Sequence, residues 1–271
     1  MRSTRAEDDV FFNLGQNLRV SDCNGDGFDD LIVLSPLSQQ GGDKRGHLGI
    51  FYNLMSKVDK QSGVLYLEDA DFSMTGTDNY QWFGYDALCT PDQTLIVSSP
   101  GKRTPIGQQA AGAVNGYSLK DKSLKFTLAS TEDQSKFGLS ISYNKNRNLL
   151  AVGAPSRNYG MMYHAGAVYI YNLASSNLTF SNPITVFYAT DRAVRFGKHV
   201  LWVSEEDLVA SAPSYTTSGT LSVPNDQGMV YYFGGASNLE GQYSSFWAWE
   251  SYYTEEAGCR HGDTLRYSEK T

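Results

Sequence analysis

Asp22-Cys-Asn-Gly-Asp-Gly-Phe-Asp-Asp30 is the stretch of this sequence best equipped for chemistry. Oxygen-bearing side chains stand at alternate positions, Asp22, Asn24 and Asp26, with a further carboxylate at Asp30. Phe28, between the last two, can offer only its backbone carbonyl. Such a pattern suits a hard cation, because calcium takes about six to eight oxygen ligands in a flexible cage. Gly25 and Gly27 permit the sharp turn that aims those oxygens inward. The loop is not an EF-hand: Val33 occupies the twelfth position, where a bidentate Glu is required, and the chain there already reads as strand. We therefore expect one structural calcium site, formed by Asp22, Asn24, Asp26, Phe28 and Asp30, in a hairpin between the first two strands. The competing reading is an acidic, Asx-rich turn without metal. Stretches 89–94, 142–147 and 203–207, which follow the same sequence landmarks, lack the spacing.

Catalytic groups are not arranged anywhere in the chain. There is no GxSxG elbow, P-loop, HExxH or strand-linked GxGxxG. His47, His164, His199 and His261 show no short-range pairing and read as surface or turn residues rather than ligands. No catalytic residue is assigned. Cys23, Cys89 and Cys259 form no CxxC pair, which removes a zinc ribbon. Three outcomes stay open for them: one bridge with a free thiol, no bridge, or a partner cysteine on other chain. Asn177-Leu-Thr179 is an N-glycosylation acceptor, meaningful only if the chain enters the secretory pathway. Phe246-Trp-Ala-Trp249 reads first as a strand or packing segment, and second as an exposed ligand- or membrane-touching patch.

The chemistry needs elements to hold it, and composition indicates which. The 271 residues carry 41% hydrophobic and 13% aromatic side chains, enough for a packed core. With 26 glycines, 18 tyrosines and only 19% charged residues, strands and tight turns are favoured over exposed helices. A net charge of −7 makes nucleic acid and anionic membrane surfaces poor partners. No apolar run reaches the roughly 18 residues of a membrane helix; Leu31-Ile-Val-Leu34 is strand-sized. The segment Met1–Asp9 has two arginines but no apolar core, so no signal peptide is read there.

An internal repeat organises the rest. Phe137-Gly138 leads to Leu149-Leu-Ala-Val-Gly-Ala-Pro155 and then Gly166-Ala-Val-Tyr-Ile-Tyr171. The same order follows Phe83-Gly84, with Pro100 and Gly112, and Phe196-Gly197, with Pro213 and Gly228. A looser copy runs from Leu14-Gly15 through Pro36 to Gly46. The marker prolines are spaced by 64, 55 and 58 residues. Each copy reads as one propeller blade. The apolar run is a strand covered on both faces, the proline ends its ladder, and the Gly-led segment is the third strand. Leu124–Leu128, Asp71–Met74 and Thr185–Tyr188 supply fourth strands, and the Phe of each Phe-Gly pair wedges between blades. The competing fold is a β-sandwich.

Phe-Gly, Gly-Ala-Pro and the DxNxDGxxD loop together resemble the FG-GAP repeats of integrin α-subunit propellers. A closer resemblance, carried by Asn24–Pro36, Gly41-Gly42, Lys44-Arg-Gly46, Phe72-Ser-Met-Thr-Gly76 and Gln81-Trp-Phe-Gly-Tyr85, is to the C-terminal propeller of the glycosylphosphatidylinositol-specific phospholipase D family. That resemblance implies a secreted, extracellular protein and a seven-bladed ring of FG-GAP repeats. In the family, an N-terminal zinc-dependent domain hydrolyses the inositol phosphate linkage of GPI anchors. Such a domain is expected to be absent from this chain, and zinc with it. Blades are expected at about 11–75, 76–130, 131–190 and 191–250, within a propeller spanning 11–235. Residues 236–271 are expected as a tail or the start of a further blade. A full ring at this spacing needs about 420 residues, so the chain is expected to be part of one, with open strand edges and poor solubility. The implied partners are a GPI-anchored protein or a glycan or protein ligand. An integrin α-like adhesion propeller without enzymatic activity is the alternative.

Overall fold

Each copy of the repeat folds into its own antiparallel sheet, because its apolar run is flanked by turns that return the chain beside it. The computed structural model describes residues 14–54, 66–216, 227–253, 260 and 262–265. The expectations for Met1–Asp9, Cys259 and His261 lie outside these. The chain divides into two compact units, Met1–Leu128 and Ala129–Thr271. Among the described residues the fold is all-β, with four sheets of the propeller-blade type and almost no helix. Among the described residues, no helix is long and apolar enough to cross a membrane.

In the first unit, β1 (Asn17–Ser21), β2 (Asp30–Ser35), β3 (His47–Phe51) and β4 (Phe72–Thr75) form one sheet in chain order. β5 (Ala87–Cys89), β6 (Thr94–Ser99), β7 (Ala113–Ser118) and β8 (Leu124–Ala129) form the next. In the second unit, β9 (Ser140–Asn144), β10 (Leu149–Ala154), β11 (Ala167–Asn172) and β12 (Thr185–Tyr188) are extended by a fifth strand, β16 (Gly241–Ser244), which pairs parallel with β12. The remaining sheet is β13 (Val200–Trp202), β14 (Leu208–Ala212), β15 (Met229–Phe233) and β17 (Glu250–Tyr253). The segment after residue 235 is thus shared between two sheets: β16 extends the third, and β17 completes the fourth.

The apolar runs become the second strands, and they are covered on both faces. Every residue of β6 and of β10 is buried. Between the first two sheets Ile32, Leu34, Leu48 and Ile50 meet Phe83, Leu95 and Val97. Between the third and fourth, Val168, Ile170 and Phe187 meet Phe196, Leu208, Tyr231 and Phe233. Phe83, Phe137 and Phe196 are all buried, and burial of one such ring contributes about 2–3 kcal/mol.

Three backbone hydrogen bonds recur in all four copies and explain the repeat's spelling. The glycine of each Phe-Gly or Leu-Gly pair donates its N–H to the carbonyl two residues before the marker proline: Gly15 to Leu34, Gly84 to Ser98, Gly138 to Gly153 and Gly197 to Ser211, at 2.9–3.1 Å. The residue two beyond each proline closes a β-turn: Ser38 to Ser35, Lys102 to Ser99, Arg157 to Ala154 and Tyr215 to Ala212. Proline fits that turn because its ring presets φ at the second position. The same residue's carbonyl then accepts from the glycine that opens the third strand, Gly46, Gly112, Gly166 or Gly228. The proline therefore nucleates a turn as well as ending a ladder.

Glycine at the third-strand position is required by close approach. A Cβ on Gly166 (φ +89°) would lie 2.1 Å from the Phe196 carbonyl oxygen, and one on Gly46 (φ +84°) equally close to that of Phe83. The Phe-Gly pair of one sheet thus seats its backbone on the glycine of the preceding sheet within each unit.

Candidate functional site

The acidic loop is the connection between β1 and β2, whose last register pair is Ser21 with Asp30. Its polar side chains turn onto the loop's own backbone. Asp22 Oδ1 accepts from Gly25 N–H at 2.7 Å and its Oδ2 from Gly27 N–H at 3.0 Å. Asn24 Oδ1 accepts from Asp26 N–H, and Asp26 Oδ1 from Phe28 N–H, both at 2.9 Å. The Asn24 amide also donates to Asp26 Oδ2 at 2.9 Å. Asp30, buried at the head of β2, accepts from Cys23 N–H at 2.9 Å and Asn24 N–H at 3.3 Å. The Phe28 side chain is exposed, leaving only its carbonyl as a donor.

Electrostatics differ along the loop. Burial pushes the Asp30 carboxyl above its ordinary value; the Cys23 and Asn24 N–H groups pull it back, and the Asp26 and Asp22 charges push it up again. The Phe28 N–H, followed by the Asn24 amide, holds the Asp26 carboxyl below its ordinary value. The donors are three carboxylates, one amide oxygen and one backbone carbonyl, a chemistry that fits a hard oxygen-seeking cation and not a soft one. All five expected residues lie in one hairpin. Among the described residues, however, no three His, Cys, Asp or Glu side chains converge on a common metal position.

Two anchors tie this hairpin to the second sheet. Cys23 is bridged to Cys89, across a sequence separation of 66, which resolves the open cysteine pairing for these two. The Gln93 amide donates to the Asn24 carbonyl at 2.6 Å. Alongside them, Arg19 of β1 makes a two-pronged ion pair with the buried Asp86, and Asp86 raises the pKa of the guanidinium. Sequence reasoning missed this pair. Its only signal is position: Asp86 stands two residues after a Phe-Gly glycine, where the second unit has His199. That unit uses gentler links at the same height, with Ser140 and Ser142 hydroxyls accepting from Val200 and Trp202 N–H.

Two expectations are corrected. His47 is not a surface or turn residue: it opens β3, is buried, and its Nδ1 lies 2.8 Å from Thr75 Oγ1. Burial, with Lys122 nearby, lowers its pKa to about 4. His164 does sit in a turn, with φ +53°. Phe246-Trp-Ala-Trp249 is not a strand, and although Ala248 packs on the core between the third and fourth sheets, the aromatic side chains are largely exposed. Ser245–Trp247 form a 3-10 turn, and Phe246, Trp247 and Trp249 are 75%, 62% and 72% exposed. The reason is local: the chain leaves β16 on one sheet to reach β17 on another, and this turn is the crossing.

No protein-family model matches the chain. The rat phosphatidylinositol-glycan-specific phospholipase D is 28% identical over 270 aligned residues, covering 86% of this chain. The chain is homologous to part of that enzyme. The human phospholipase D is 27% identical over 271 aligned residues, and the Dictyostelium discoideum one 30% identical over 166, covering 54% of this chain. The chain spans 31% of the length of the rat and human phospholipases D. Among solved structures, a chain from a crystal structure of the mitotic checkpoint complex superposes at TM-score 0.45 with 16% identity, covering 89% of this chain and 53% of that one.

Proposed function

We propose that this chain is the propeller portion, built of FG-GAP repeats, of a phosphatidylinositol-glycan-specific phospholipase D-like protein. The observation that carries the reading is the similarity to the rat enzyme across 86% of the chain. In the full-length protein, hydrolysis of the inositol phosphate linkage of GPI anchors belongs to a zinc-dependent domain outside these residues. The present residues act as scaffold or as the module that presents a GPI-anchored protein or its glycan. They form about four blades of a seven-bladed ring. The hairpin of Asp22, Asn24, Asp26, Phe28 and Asp30 holds one structural calcium, whose charge offsets repulsion among its three carboxylates. The compartment is extracellular, a reading supported by the Cys23–Cys89 bridge, since disulfides persist in oxidising surroundings.

The test is release of a GPI-anchored reporter from vesicles. The complete gene product should release it, and residues 1–271 alone should not. Release by residues 1–271 would overturn the scaffold role. A complete gene product that binds anchored or adhesive ligands without cleaving them would replace the reading with an adhesion propeller.

A further inference from the structure

Between β11 and β12 the chain makes a surface loop in which polar and apolar residues alternate. Asn177 and Thr179 are exposed, while Leu178 and Phe180 are half-buried. The inward pair anchors the loop. The Phe180 ring packs edge-on against Phe137, centroids 5.2 Å apart, and lies 5.6 Å from Tyr169. The Tyr171 hydroxyl donates to the Phe180 carbonyl at 3.0 Å. The loop backbone is closed on itself: Asn177 N–H donates to Ser175 Oγ, Asn182 N–H to the Thr179 carbonyl, and the Asn182 amide to the Asn177 carbonyl. These contacts use the Asn177 backbone and leave its exposed side-chain amide out.

We propose that Asn177 is the site of an N-linked glycan. Three independent features converge on it. Asn177-Leu-Thr179 is the single Asn-X-Ser/Thr sequence in the chain, and X is not proline. The alternation puts the acceptor amide and the Thr179 hydroxyl on the solvent side together, so a bulky glycan displaces nothing from the core. The Cys23–Cys89 bridge points to the oxidising secretory route, in which such glycans are added. The co-reactant is a lipid-pyrophosphate-linked oligosaccharide. The Asn177 Nδ2–C1 bond forms, the C1–O bond to pyrophosphate breaks, the lipid pyrophosphate leaves with the electron pair, and one amide proton passes to solvent. The glycan would stand at the outer hairpin of the third sheet. The proposal needs secretory passage but not the hydrolase reading.

The gene product, expressed through the secretory pathway of a eukaryotic host, should migrate as a retarded band. Peptide N-glycosidase should collapse that band to the mobility of Asn177→Gln and convert Asn177 to Asp in its tryptic peptide. Thr179→Ala should lose the shift, and Thr179→Ser should keep it. An unmodified Asn177 peptide, from material whose Cys23–Cys89 bridge has formed, overturns the proposal. So does a glycosidase-sensitive shift that survives in Asn177→Gln. Both readouts follow the peptide and not anchor release, so failure here and failure of the phospholipase reading are told apart.

Discussion

Arg19 Nε lies 2.7 Å from Asp86 Oδ1 and Arg19 Nη2 lies 2.9 Å from Oδ2, a bidentate pair joining β1 of one sheet to the residue that leads into β5 of the next. The arrangement is asymmetric, with the Asp86 side chain 3% exposed and that of Arg19 41% exposed. Removing the arginine therefore takes both of these charge-assisted contacts from a buried carboxylate that also accepts from the Ala87 N–H. Fully buried pairs cost about 3–5 kcal/mol when one partner is deleted, and partial exposure of Arg19 reduces that. Arg19→Ala should cost about 2 kcal/mol in denaturant unfolding, and Arg19→Met with Asp86→Leu should cost less than Arg19→Ala alone. Additive losses in the double variant would show the two residues to be independent.

The Cys23–Cys89 bridge closes a loop with a separation of 66 residues. Chain-entropy reasoning gives about 4 kcal/mol for a loop of that size. Reduction, or Cys23→Ser with Cys89→Ser, should lower the melting temperature of the first unit and loosen the Asp22–Asp30 hairpin, leaving the Gln93–Asn24 hydrogen bond to tie it to the second sheet. Peptide mapping under non-reducing conditions should recover the two cysteines joined. Melting that is indifferent to reductant would remove the bridge from the account.

Calcium at a hundred times its dissociation constant should stabilise the protein by about 2.7 kcal/mol. Asp26 is exposed and accepts local hydrogen bonds from Phe28 and Asn24, so Asp26→Ala should melt slightly below the parent without calcium and lose the calcium increment. Parallel gains in both proteins would place the ion elsewhere.

Acid should weaken the fold through His47. Its folded pKa, lowered to about 4, lies below the ordinary value of 6.5. The unfolded chain therefore takes up the proton first. The stability of the neutral buried ring is present above pH 6.5, declines as pH falls through that value, and is lost down to about pH 4, a total of about 3 kcal/mol. The second and third copies carry Ala113 and Ala167 at the same repeat position. His47→Ala should flatten the stability slope between these pH values, read from melts at several pH points, even if it lowers stability at neutral pH.

Gly166 and Gly107 share nearly the same backbone angle, φ +89° and +88°, but not the same surroundings. A Cβ at Gly166 meets the Phe196 carbonyl at 2.1 Å, whereas one at Gly107 meets nothing within 4 Å. Gly107→Ala should cost about 1–2 kcal/mol, the left-handed backbone penalty alone. Gly166→Ala adds a backbone collision between sheets and should cost about 3 kcal/mol or more. Equal unfolding midpoints would contradict the close joint.

The sequence by itself determined the blade. Its three recurrent hydrogen bonds are made among Gly138, Gly153, Ala154, Arg157 and Gly166 and their counterparts, all within one copy. A proline that must take a turn and glycines that must take positive φ are legible wherever they stand, because the constraint is covalent and local. The oxygen-rich hairpin was legible for the same reason. Tertiary structure alone decided what crosses from copy to copy. Arg19 and Asp86, like Cys23 and Cys89, sit on different sheets, and which residues meet there depends on how two sheets stack. His47 was misjudged because its burial is set by the packing around β3. Phe246 to Trp249 was misjudged because the chain changes sheets at that point, and apolar composition does not reveal a crossing. Periodicity reports the face a strand must bury; what lies across that face is settled only when the sheets come together.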